Sequence, residues 1–329
     1  MKIWFSTYQL YPKTALNSRV KVKYRKGALL RIRFPDESVG YADLCPFSEM
    51  GDRPLDFELR HIALSKPTDL GARSLYYAQK DAEARKRGIR LYDSTIRIKN
   101  HFLIPDILGF DLERVAKIEA DGYTEFKIKM GRDLVAETAK VEHLSNRISP
   151  GTRLRLDFNC SMNRERFVEW FEKNQKWLRS VLEFIEDPFT YESKDWREIS
   201  NKYNITFALD RAADPIVTEA AGAGVIVIKP AVQDPEIIVQ RFIDTDKKFV
   251  FTHHMDFPLG QMSAFYAAQS LFNGIQNQML TCGLQHHDIY EGFTFQNAIT
   301  ADGPYILPPD GVGLGFDKLL ESQTWTVLK

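Results

Sequence analysis

The chain has 329 residues, and its 44 basic and 44 acidic side chains give a formal net charge of zero. This balance provides no general attraction to nucleic acid or to anionic membranes, and the length suffices for a large core in two domains. No apolar run approaches the roughly 18 residues of a membrane span. The start of the sequence lacks the apolar segment of a secretion signal, so we expect a soluble cytoplasmic protein. The three cysteines are scattered, which argues against a disulfide scaffold or a structural zinc site.

The first block of the sequence has the alternation of antiparallel strands, followed by helical periodicity. Strands are predicted at residues 20–24, 29–34 and 39–44. Pro, Ser, Asn and Gly are frequent in residues 8–19 and 46–55, which predicts loops. The pattern is helical from about residue 56 to residue 87, and Gly88 is a typical helix stop. The first block is therefore predicted to be α+β.

After residue 96, short β-rich runs alternate with helical patterns at intervals of roughly 20–30 residues. Strands are predicted at residues 96–103, 124–130, 153–158, 182–185, 205–209, 225–228, 249–252 and 279–282. Helices are predicted between them, at 111–122, 134–147, around 167–178 and 196–203, from Asp214-Pro215, from Asp234-Pro235, and at 259–272. This repetition is typical of a (β/α) barrel, with a doubly wound open sheet as the alternative. The Pro- and Gly-rich tail, residues 303–329, is predicted to be irregular and to fold back on the first block.

The stretch Phe126–Gly131 contains two lysines, Lys127 and Lys129, two positions apart on a predicted strand. Side chains with this spacing share one face of a strand. If the strand is buried, two ammonium groups in a closed interior are costly unless anions lie opposite, and we expect each to lower the other's pKa. The alternative is an edge strand with both lysines in water.

Charged residues also end the next four predicted strands, in the order Asp157, Glu186, Asp210 and Lys229. Barrel enzymes have their active sites at these strand ends. One such carboxylate commonly caps the following helix, but three on consecutive strands between lysine-bearing strands are hard to explain as caps. Carboxylates that converge cannot all ionise without a cation, and an all-oxygen ligand set suits Mg²⁺ or Mn²⁺. Lysines beside such a metal favour abstraction of a proton next to a substrate carboxylate.

The order of these motifs resembles the enolase superfamily in its muconate-lactonizing subgroup, and within it most closely the o-succinylbenzoate synthase family. The similar stretches span nearly the whole chain and are Gly27–Ile32, Cys45–Glu49, Asn100–Pro105, Phe126–Gly131, Leu154–Asn159, Phe184–Phe189, Ala208–Asp210, Ile228–Pro230 and Pro308–Phe316. The resemblance implies a (β/α)7β modified TIM barrel with an α+β capping domain. It divides the chain into a capping domain at 1–95, a catalytic barrel at 96–302 and a tail at 303–329 that returns to the cap.

The resemblance also implies a role for each strand-end residue. The Mg²⁺ ligands would be Asp157, Glu186 and Asp210. Lys129 would remove the α-proton and then protonate the departing hydroxyl, while Lys127 would hold a substrate carboxylate oxygen and keep the pKa of Lys129 low. Lys229 would stabilise the enediolate from the opposite face, and Asn159 would support the metal ligands.

The reaction so implied is the Mg²⁺-dependent syn dehydration of 2-succinyl-6-hydroxy-2,4-cyclohexadiene-1-carboxylate to o-succinylbenzoate in menaquinone biosynthesis, which is a lyase reaction. The partner would be this small carboxylate, with no nucleic acid and no membrane, and the oligomeric state stays open, a monomer being compatible. Related members epimerize dipeptides or racemize N-acylamino acids with the same residues, so this second activity also stays open. A non-catalytic barrel is the third alternative, but all the metal and lysine positions are intact.

Some positions depart from the superfamily pattern. Arg211 follows the third metal ligand, where an acidic residue is usual, and Thr252–Asp256 replaces a serine-rich run. Here His253 or His254 could bind the succinyl carboxylate or could lie in water. A metal site joining them to His286 and His287 is not expected, because neither pair has helical ligand spacing.

Two further groups of side chains are assigned from their positions in the sequence. The cap loops should close over the pocket, with Tyr8, Tyr11, Phe47 and Met50 as candidates for substrate contact and surface loops as the alternative. The stripe of Phe167, Trp170, Phe171 and Trp177 is predicted to pack a helix on the barrel.

Overall fold

The computed structural model describes residues 1–16, 22–210, 219–285 and 289–329. An antiparallel sheet is built from β1 (Lys2–Leu10), β2 (Arg25–Arg33), β3 (Val39–Leu44) and β13 (Thr326–Val327), in the order β13–β1–β2–β3. The last of these strands belongs to the tail, where Val327 pairs with Trp4. The C-terminal end of the chain therefore completes the sheet that the N-terminal end begins.

Two helices, α1 (Leu55–Ala63) and α2 (Asp69–Lys86), pack on this sheet and give it a core of its own. The side chain of Thr68 caps α2 by accepting a hydrogen bond from the backbone N–H of Gly71. Beyond the other end of α2, Gly88 has a positive φ of 64°, which glycine adopts without strain. A short 3₁₀ helix, Ser48–Met50, lies in the loop between β3 and α1.

The second sheet has seven parallel strands that follow one another in chain order. They are β4 (Phe102–Ile104), β5 (Glu125–Lys129), β6 (Arg153–Asp157), β7 (Leu182–Glu186), β8 (Phe207–Leu209), β9 (Ala223–Ile228) and β10 (Lys248–Phe251). The segment 279–283 joins the two edges of this sheet. The Leu280 N–H donates to the Phe249 carbonyl at 2.9 Å, and the His101 N–H donates to the Cys282 carbonyl at 2.8 Å. These bonds close the sheet into a barrel.

Helices follow the barrel strands. They are α3 (Val115–Ala120, preceded by the 3₁₀ turn Leu112–Arg114), α4 (Leu134–Ser145), α5 (Arg164–Val181), α6 (Ser193–Tyr203), α7 (Pro235–Phe242), α8 (Pro258–Ile275) and α9 (Thr294–Asn297). Asp133, Asn163 and Asp234 cap α4, α5 and α7 through their side chains. The tail adds a hairpin of β11 (Thr300–Asp302) and β12 (Tyr305–Leu307), and the short helix α10 (Asp317–Glu321).

The barrel predicted from the βα repetition is confirmed, and the open sheet is wrong. The strand predicted at 20–24 is also wrong over 22–24, because the pairing of β1 with β2 ends at Leu10 and Arg25, and Pro12 cannot extend the ladder on β1. The strand predicted at 96–103 is mostly irregular, and Lys99 and Asn100 form only single bridges. The tail is more regular than predicted. The helix predicted from Asp214-Pro215 lies outside the described residues, as do positions 20 and 21.

The aromatic stripe of α5 packs on the barrel as predicted, with Phe167, Trp170 and Phe171 buried in the main core. The indole N–H of Trp170 donates to the Thr138 hydroxyl of α4 at 2.8 Å, which satisfies its one polar group. In the part of the chain that the structure describes, no helix is long and apolar enough to cross a membrane.

Candidate active site

The parallel register of the barrel brings the charged strand ends together. Lys129 of β5 pairs with Asp157 of β6, and Asp157 pairs with Glu186 of β7. Asp210 directly follows β8, and Lys229 directly follows β9. Adjacent strands lie about 5 Å apart, so their ends form one continuous row of charge. Lys127 shares the inner face with Lys129, and both lysines are less than a tenth exposed. The edge-strand alternative is therefore wrong.

Carboxylates lie opposite each buried lysine. The Lys127 ammonium contacts both carboxylate oxygens of Glu186 at 2.7 Å and Oδ2 of Asp157 at 3.0 Å. Lys129 contacts the same Asp157 oxygen at 2.8 Å, and Lys229 pairs with Asp210. These ion pairs supply the anions that the burial of two neighbouring ammonium groups requires.

The expectation that the two strand lysines lower each other's pKa is wrong for Lys127. Burial lowers the pKa of Lys127, but the Asp157 and Glu186 carboxylates outweigh it and hold that pKa above its usual value. Burial would raise the pKa of Asp157, yet Lys127 and Lys129 hold it well below its usual range. The sequence shows the lysine pair but not the carboxylate contacts that reverse its effect.

The cluster contains more acid than base. Among the described residues, four buried carboxyl groups face the three lysines, the fourth being Asp187, which the sequence argument had not assigned a role. Burial and the neighbouring Asp157 carboxylate raise the pKa of Glu186 to about 7, even though Lys127 contacts it. Burial and the Asp210 carboxylate likewise raise the pKa of Asp187. Burial and the neighbouring carboxylates therefore favour the protonated forms of Glu186 and Asp187.

Left-handed backbone conformations turn the chain at two of these strand ends. Asn159 has a φ of 47° and Asp187 a φ of 43°, a region that Asn and Asp tolerate better than other residues with a side chain. The Asn159 N–H donates to Oδ1 of Asp157 at 3.1 Å, and its side-chain oxygen accepts from Lys129 at 3.4 Å. Asn159 thus holds both a carboxylate and the lysine opposite it.

A cavity opens at this end of the barrel. Its described lining comprises Lys127, Lys129, Asn159, Glu186, Asp210 and Lys229 from the cluster, Phe47 and Met50 from the cap loop, and His101, Leu103, Thr252, His253, His254, Met255 and Gly283. The cap loop therefore forms one wall of the cavity, and the strand ends form the other.

Both histidines after β10 are buried, so the alternative that they lie in water is wrong. Nδ1 of His253 accepts a hydrogen bond from the Met255 backbone N–H at 2.8 Å, which places the proton of a neutral ring on Nε2. Nε2 of His254 lies 2.8 Å from Oδ2 of Asp52 in the cap loop. His254 thus joins the barrel to the cap, while His253 lines the cavity as a fixed tautomer.

The two tyrosines proposed for substrate contact are placed elsewhere. Tyr8 is not among the described residues that line the cavity, and its hydroxyl donates to Asp43 while its ring packs on Phe257 at 4.2 Å. Tyr11 is 41% exposed and donates to Gln9. The reason is that β1 extends to Leu10, so Tyr8 lies within the sheet and not in a mobile cap loop.

Two polar residues at the cavity were missed. His101 lines the cavity directly, and Arg155 lies fully buried beside it. A sequence signal existed for Arg155, because it stands two residues before Asp157 and must share its face of β6. No periodic signal marked His101. Arg211, His286 and His287, discussed above from the sequence, lie outside the described residues.

The donor set suits a hard divalent cation. Three buried carboxylates from adjacent strand ends offer the oxygen ligands that Mg²⁺ and Mn²⁺ prefer. As they stand, no three described His, Cys, Asp or Glu side chains are arranged to hold a metal ion. Lysine ammonium groups instead contact the carboxylate oxygens, so a metal would have to replace some of these contacts.

Comparisons with known proteins agree with this architecture. Residues 3–84 match the family model "O-succinylbenzoate synthase, N-terminal domain", and residues 111–218 match "Enolase C-terminal domain-like". The chain is 32% identical over 332 aligned residues to an o-succinylbenzoate synthase from Bdellovibrio bacteriovorus, covering 100% of this chain and 99% of that protein.

Solved structures with the same fold are more distant in sequence. An N-succinyl Arg/Lys racemase from Bacillus cereus has a TM-score of 0.79 at 14% identity, covering 100% of this chain and 99% of the other. The L-Ala-D/L-Glu epimerase from Bacillus subtilis has a TM-score of 0.76 at 16% identity, covering 96% and 98%. At these identities the likeness concerns the fold alone.

Proposed function

The chain belongs to the o-succinylbenzoate synthase family, a family of lyases within the enolase superfamily, and from this premise we propose that it dehydrates 2-succinyl-6-hydroxy-2,4-cyclohexadiene-1-carboxylate to o-succinylbenzoate. The pathway we infer for this step is menaquinone biosynthesis. One observation carries the proposal, namely that Lys129 and Lys229 line the same cavity with carboxylates between them. A proton next to a carboxylate is weakly acidic, and this arrangement offers a base together with stabilisation of the charge that develops.

We assign the proton transfers to Lys129. In its neutral form it takes the proton from the ring carbon next to the carboxylate, and the electron pair of that C–H bond forms the enediolate. The pair then forms the ring double bond as the C–O bond to the hydroxyl group breaks. Lys129, now an ammonium, returns its proton to the leaving hydroxyl, so water departs from the same face. One residue thereby serves as base and as acid in a syn elimination.

The other two lysines stabilise charge in this proposal. Lys127 is held above its usual pKa and so stays an ammonium, suited to contact a carboxylate oxygen of the substrate. Lys229 approaches from the other side of the carboxylate row, where its ammonium can stabilise the enediolate, including by cation–π contact with the ring. Asn159 would hold Asp157 and Lys129 in place.

The metal that we propose is Mg²⁺, with Mn²⁺ as a possible substitute, held by Asp157, Glu186 and Asp210. When bound, it would supply positive charge that stabilises a dianionic enediolate. The residues of the chain would prepare for it by releasing lysine contacts. Lys127 would leave Glu186 and contact a carboxylate of the substrate. Lys129 would leave Asp157 and accept the proton that it removes.

Substrate selection falls to the cap in this proposal, with residues 1–95 and the tail 303–329 acting as one capping domain on a barrel of residues 96–302. Phe47 and Met50 provide apolar contact for the ring and the succinyl chain. His253 presents a neutral Nε2–H that can donate to the succinyl carboxylate. His254 contributes indirectly, because its contact with Asp52 fixes the cap loop.

A second candidate, epimerization or racemization of a dipeptide or an N-acylamino acid, is favoured by the positions of Lys129 and Lys229, which line the cavity from the two ends of the carboxylate row. A base on each face is what a 1,1-proton transfer needs. The two candidates differ in their products. Dehydration consumes the cyclohexadiene, whereas epimerization exchanges the α-proton of an amino acid with solvent.

The test is a direct assay with Mg²⁺. We expect purified protein to consume the cyclohexadiene, followed by its ultraviolet absorbance, to lose activity with EDTA and to regain it with added Mg²⁺. Asp157→Asn should abolish turnover, while Asp195→Asn, at a partly exposed position of α6 that does not line the cavity, should not. Absence of turnover, together with deuterium uptake by dipeptides in heavy water, would favour the second candidate.

A further inference from the structure

His101 occupies a constrained position at the cavity. It is 3% exposed, and its backbone N–H donates to Cys282 at the point where the barrel closes. It directly precedes β4, and its side chain lines the cavity together with Leu103 of that strand. The backbone thus directs an imidazole into the barrel interior.

Arg155 determines which nitrogen of this imidazole carries the proton. One terminal nitrogen of its guanidinium lies 3.0 Å from Nδ1 of His101. A guanidinium can only donate hydrogen bonds, so Nδ1 must accept and the proton must be on Nε2. The neighbouring positive charge also disfavours a second proton on the ring.

The position of Arg155 is itself fixed, so it cannot easily turn away from His101. Its Nε donates to Glu183 at 2.6 Å, and the nitrogen that contacts His101 also donates to the Thr281 carbonyl at 2.6 Å. Its guanidinium lies 4.8 Å from the centre of the Phe184 ring. The tautomer of His101 is therefore set by a rigid, fully buried partner.

Gly283 lies against the Nε2 edge of the ring. A Cβ atom on Gly283 would lie 2.5 Å from Cε1 and 2.7 Å from Nε2 of His101, so only glycine leaves room for the ring. Gly283 also lines the cavity. The Cε1–Nε2 edge of His101 thus packs beside Gly283, and both residues line the cavity.

We propose that His101 contacts the substrate, donating a hydrogen bond from a neutral Nε2–H to a carboxylate oxygen, with Arg155 as the residue that positions it. This deepens the proposed function and rests on it, because the dicarboxylate substrate supplies the acceptor. A neutral donor suits a cavity that already contains three lysines, since it recognises an oxygen without adding charge.

The first experiment reads the tautomer without any substrate. In protein with ¹⁵N-labelled histidine, NMR at neutral pH should show a ring with bare Nδ1 and protonated Nε2 that disappears in His101→Gln, while the corresponding signal of His253 remains. His143→Gln on the exposed face of α4 should remove a different signal. A His101 ring protonated on Nδ1, or on both nitrogens, would overturn the proposal.

The second experiment tests the proposed contact between His101 and the substrate. His101→Phe should raise the KM for the cyclohexadiene and the Kd for o-succinylbenzoate, each roughly 10- to 100-fold, with a smaller fall in kcat, because a hydrogen bond to a charged oxygen is lost. His101→Gln, whose amide can donate from near the Nε2 position, should stay within a few-fold of the wild type. The control, His143→Phe, should change neither constant.

The outcomes separate this proposal from the proposed function. If the wild type turns over the substrate and His101→Phe leaves KM and Kd unchanged, the contact is wrong and the function stands. If the wild type neither turns over the substrate nor binds the product, both fail. Should His101→Phe not fold, the comparison passes to His101→Gln and His101→Asn, since the shorter Asn amide cannot reach the Nε2 position. Equal constants for Gln and Asn would then contradict the contact.

Discussion

Two buried charged regions of this protein differ in what balances their charge. At the strand ends, lysines pair directly with carboxylates in the lining of a cavity. The second region is the cap–barrel junction, which consists of Arg25, Asp43, Asp52, His254 and Asp256. There, hydrogen bonds to neutral groups of the chain satisfy most of the charge. Arg25 donates to the carbonyls of His254, Met255, Cys45 and Pro46 and to the Tyr290 hydroxyl.

This difference indicates which of the two regions can change its contacts. Charged side chains that line a cavity can exchange partners when a metal or a substrate carboxylate enters that cavity. Charges satisfied by backbone carbonyls would leave those carbonyls bare if they moved, at a cost of about 1–3 kcal/mol for each buried group. We therefore expect the strand-end cluster to perform the chemistry and the junction to hold the cap in place.

The largest effect should come from Lys129→Ala in the strand-end cluster. Loss of a general base lowers kcat by roughly 10²–10⁴-fold, and the unfolding midpoint should change little. Lys173→Ala, at an exposed position of α5, is the matched control and should leave the rate unchanged. A near-normal rate for Lys129→Ala would remove this residue from the proposed mechanism.

Substitutions in the junction should lower the stability of the protein and should not affect the chemical step. Arg25→Met keeps much of the side-chain volume but leaves several buried carbonyls without a donor, so the free energy of unfolding should fall by about 3 kcal/mol or more. The control is Arg33→Met on the same strand, where the ion pair with Glu37 is exposed. Denaturant unfolding measures both, and similar losses in the two variants would contradict a central role for Arg25.

The strand-end cluster was largely predictable from the sequence, whereas the junction was not. Each βα repeat is local. The alternation around Lys127, Asp157 and Glu186 predicts that their side chains point inward and lie near the ends of their strands. Arg25 meets His254 across 229 residues of chain, and no local pattern encodes that contact. The same limit applies to the cap loop, where Asp52 meets His254 only because two segments far apart in sequence pack together.

The local patterns also misled where pairing decides the outcome. Residues 22–24 alternate like a strand yet lie outside β2, and Tyr8 was assigned to a loop although β1 extends past it. The pKa of Lys127 was predicted from its neighbour in sequence, but its neighbours in space determine it. Strand periodicity thus predicts which residues face inward, and packing decides what they meet.

A pH series should reveal the carboxyl pair of the junction. The Oδ2 atoms of Asp43 and Asp256 lie on the same side of Gly260, 2.6 and 2.7 Å from the point where a Cβ would stand. Burial and the Asp256 carboxylate raise the pKa of Asp43 to about 8, and burial raises the pKa of Asp256 to about 7. The folded protein thus retains protons that the unfolded chain releases near pH 4.

The free energy of unfolding should therefore be highest at and below about pH 4, as far as this pair contributes, and should fall as the pH rises from about 4 to about 8. Asp256→Asn removes one member and lowers the pKa of the other, so this fall should shrink by about 1–3 kcal/mol. Asp244→Asn, at an exposed position, should retain the wild-type slope. If the free energy of unfolding of Asp256→Asn fell with pH as steeply as that of the wild type, the two carboxyl groups would not influence each other's protonation.

The smallest effect should come from Asp52→Asn, where the junction meets the cavity. Oδ2 of Asp52 accepts from the Phe47 N–H at 2.7 Å and lies 2.8 Å from Nε2 of His254. Weakening these contacts by about 1 kcal/mol should raise KM by roughly 3- to 10-fold and leave kcat nearly unchanged, because the loop that carries Phe47 loosens while the lysines stay in place. The control, Asp56→Asn on α1, disturbs only an exposed pair with Lys26. An equal loss in kcat and kcat/KM would mean that the junction stabilises the transition state, and the two regions could no longer be separated by function.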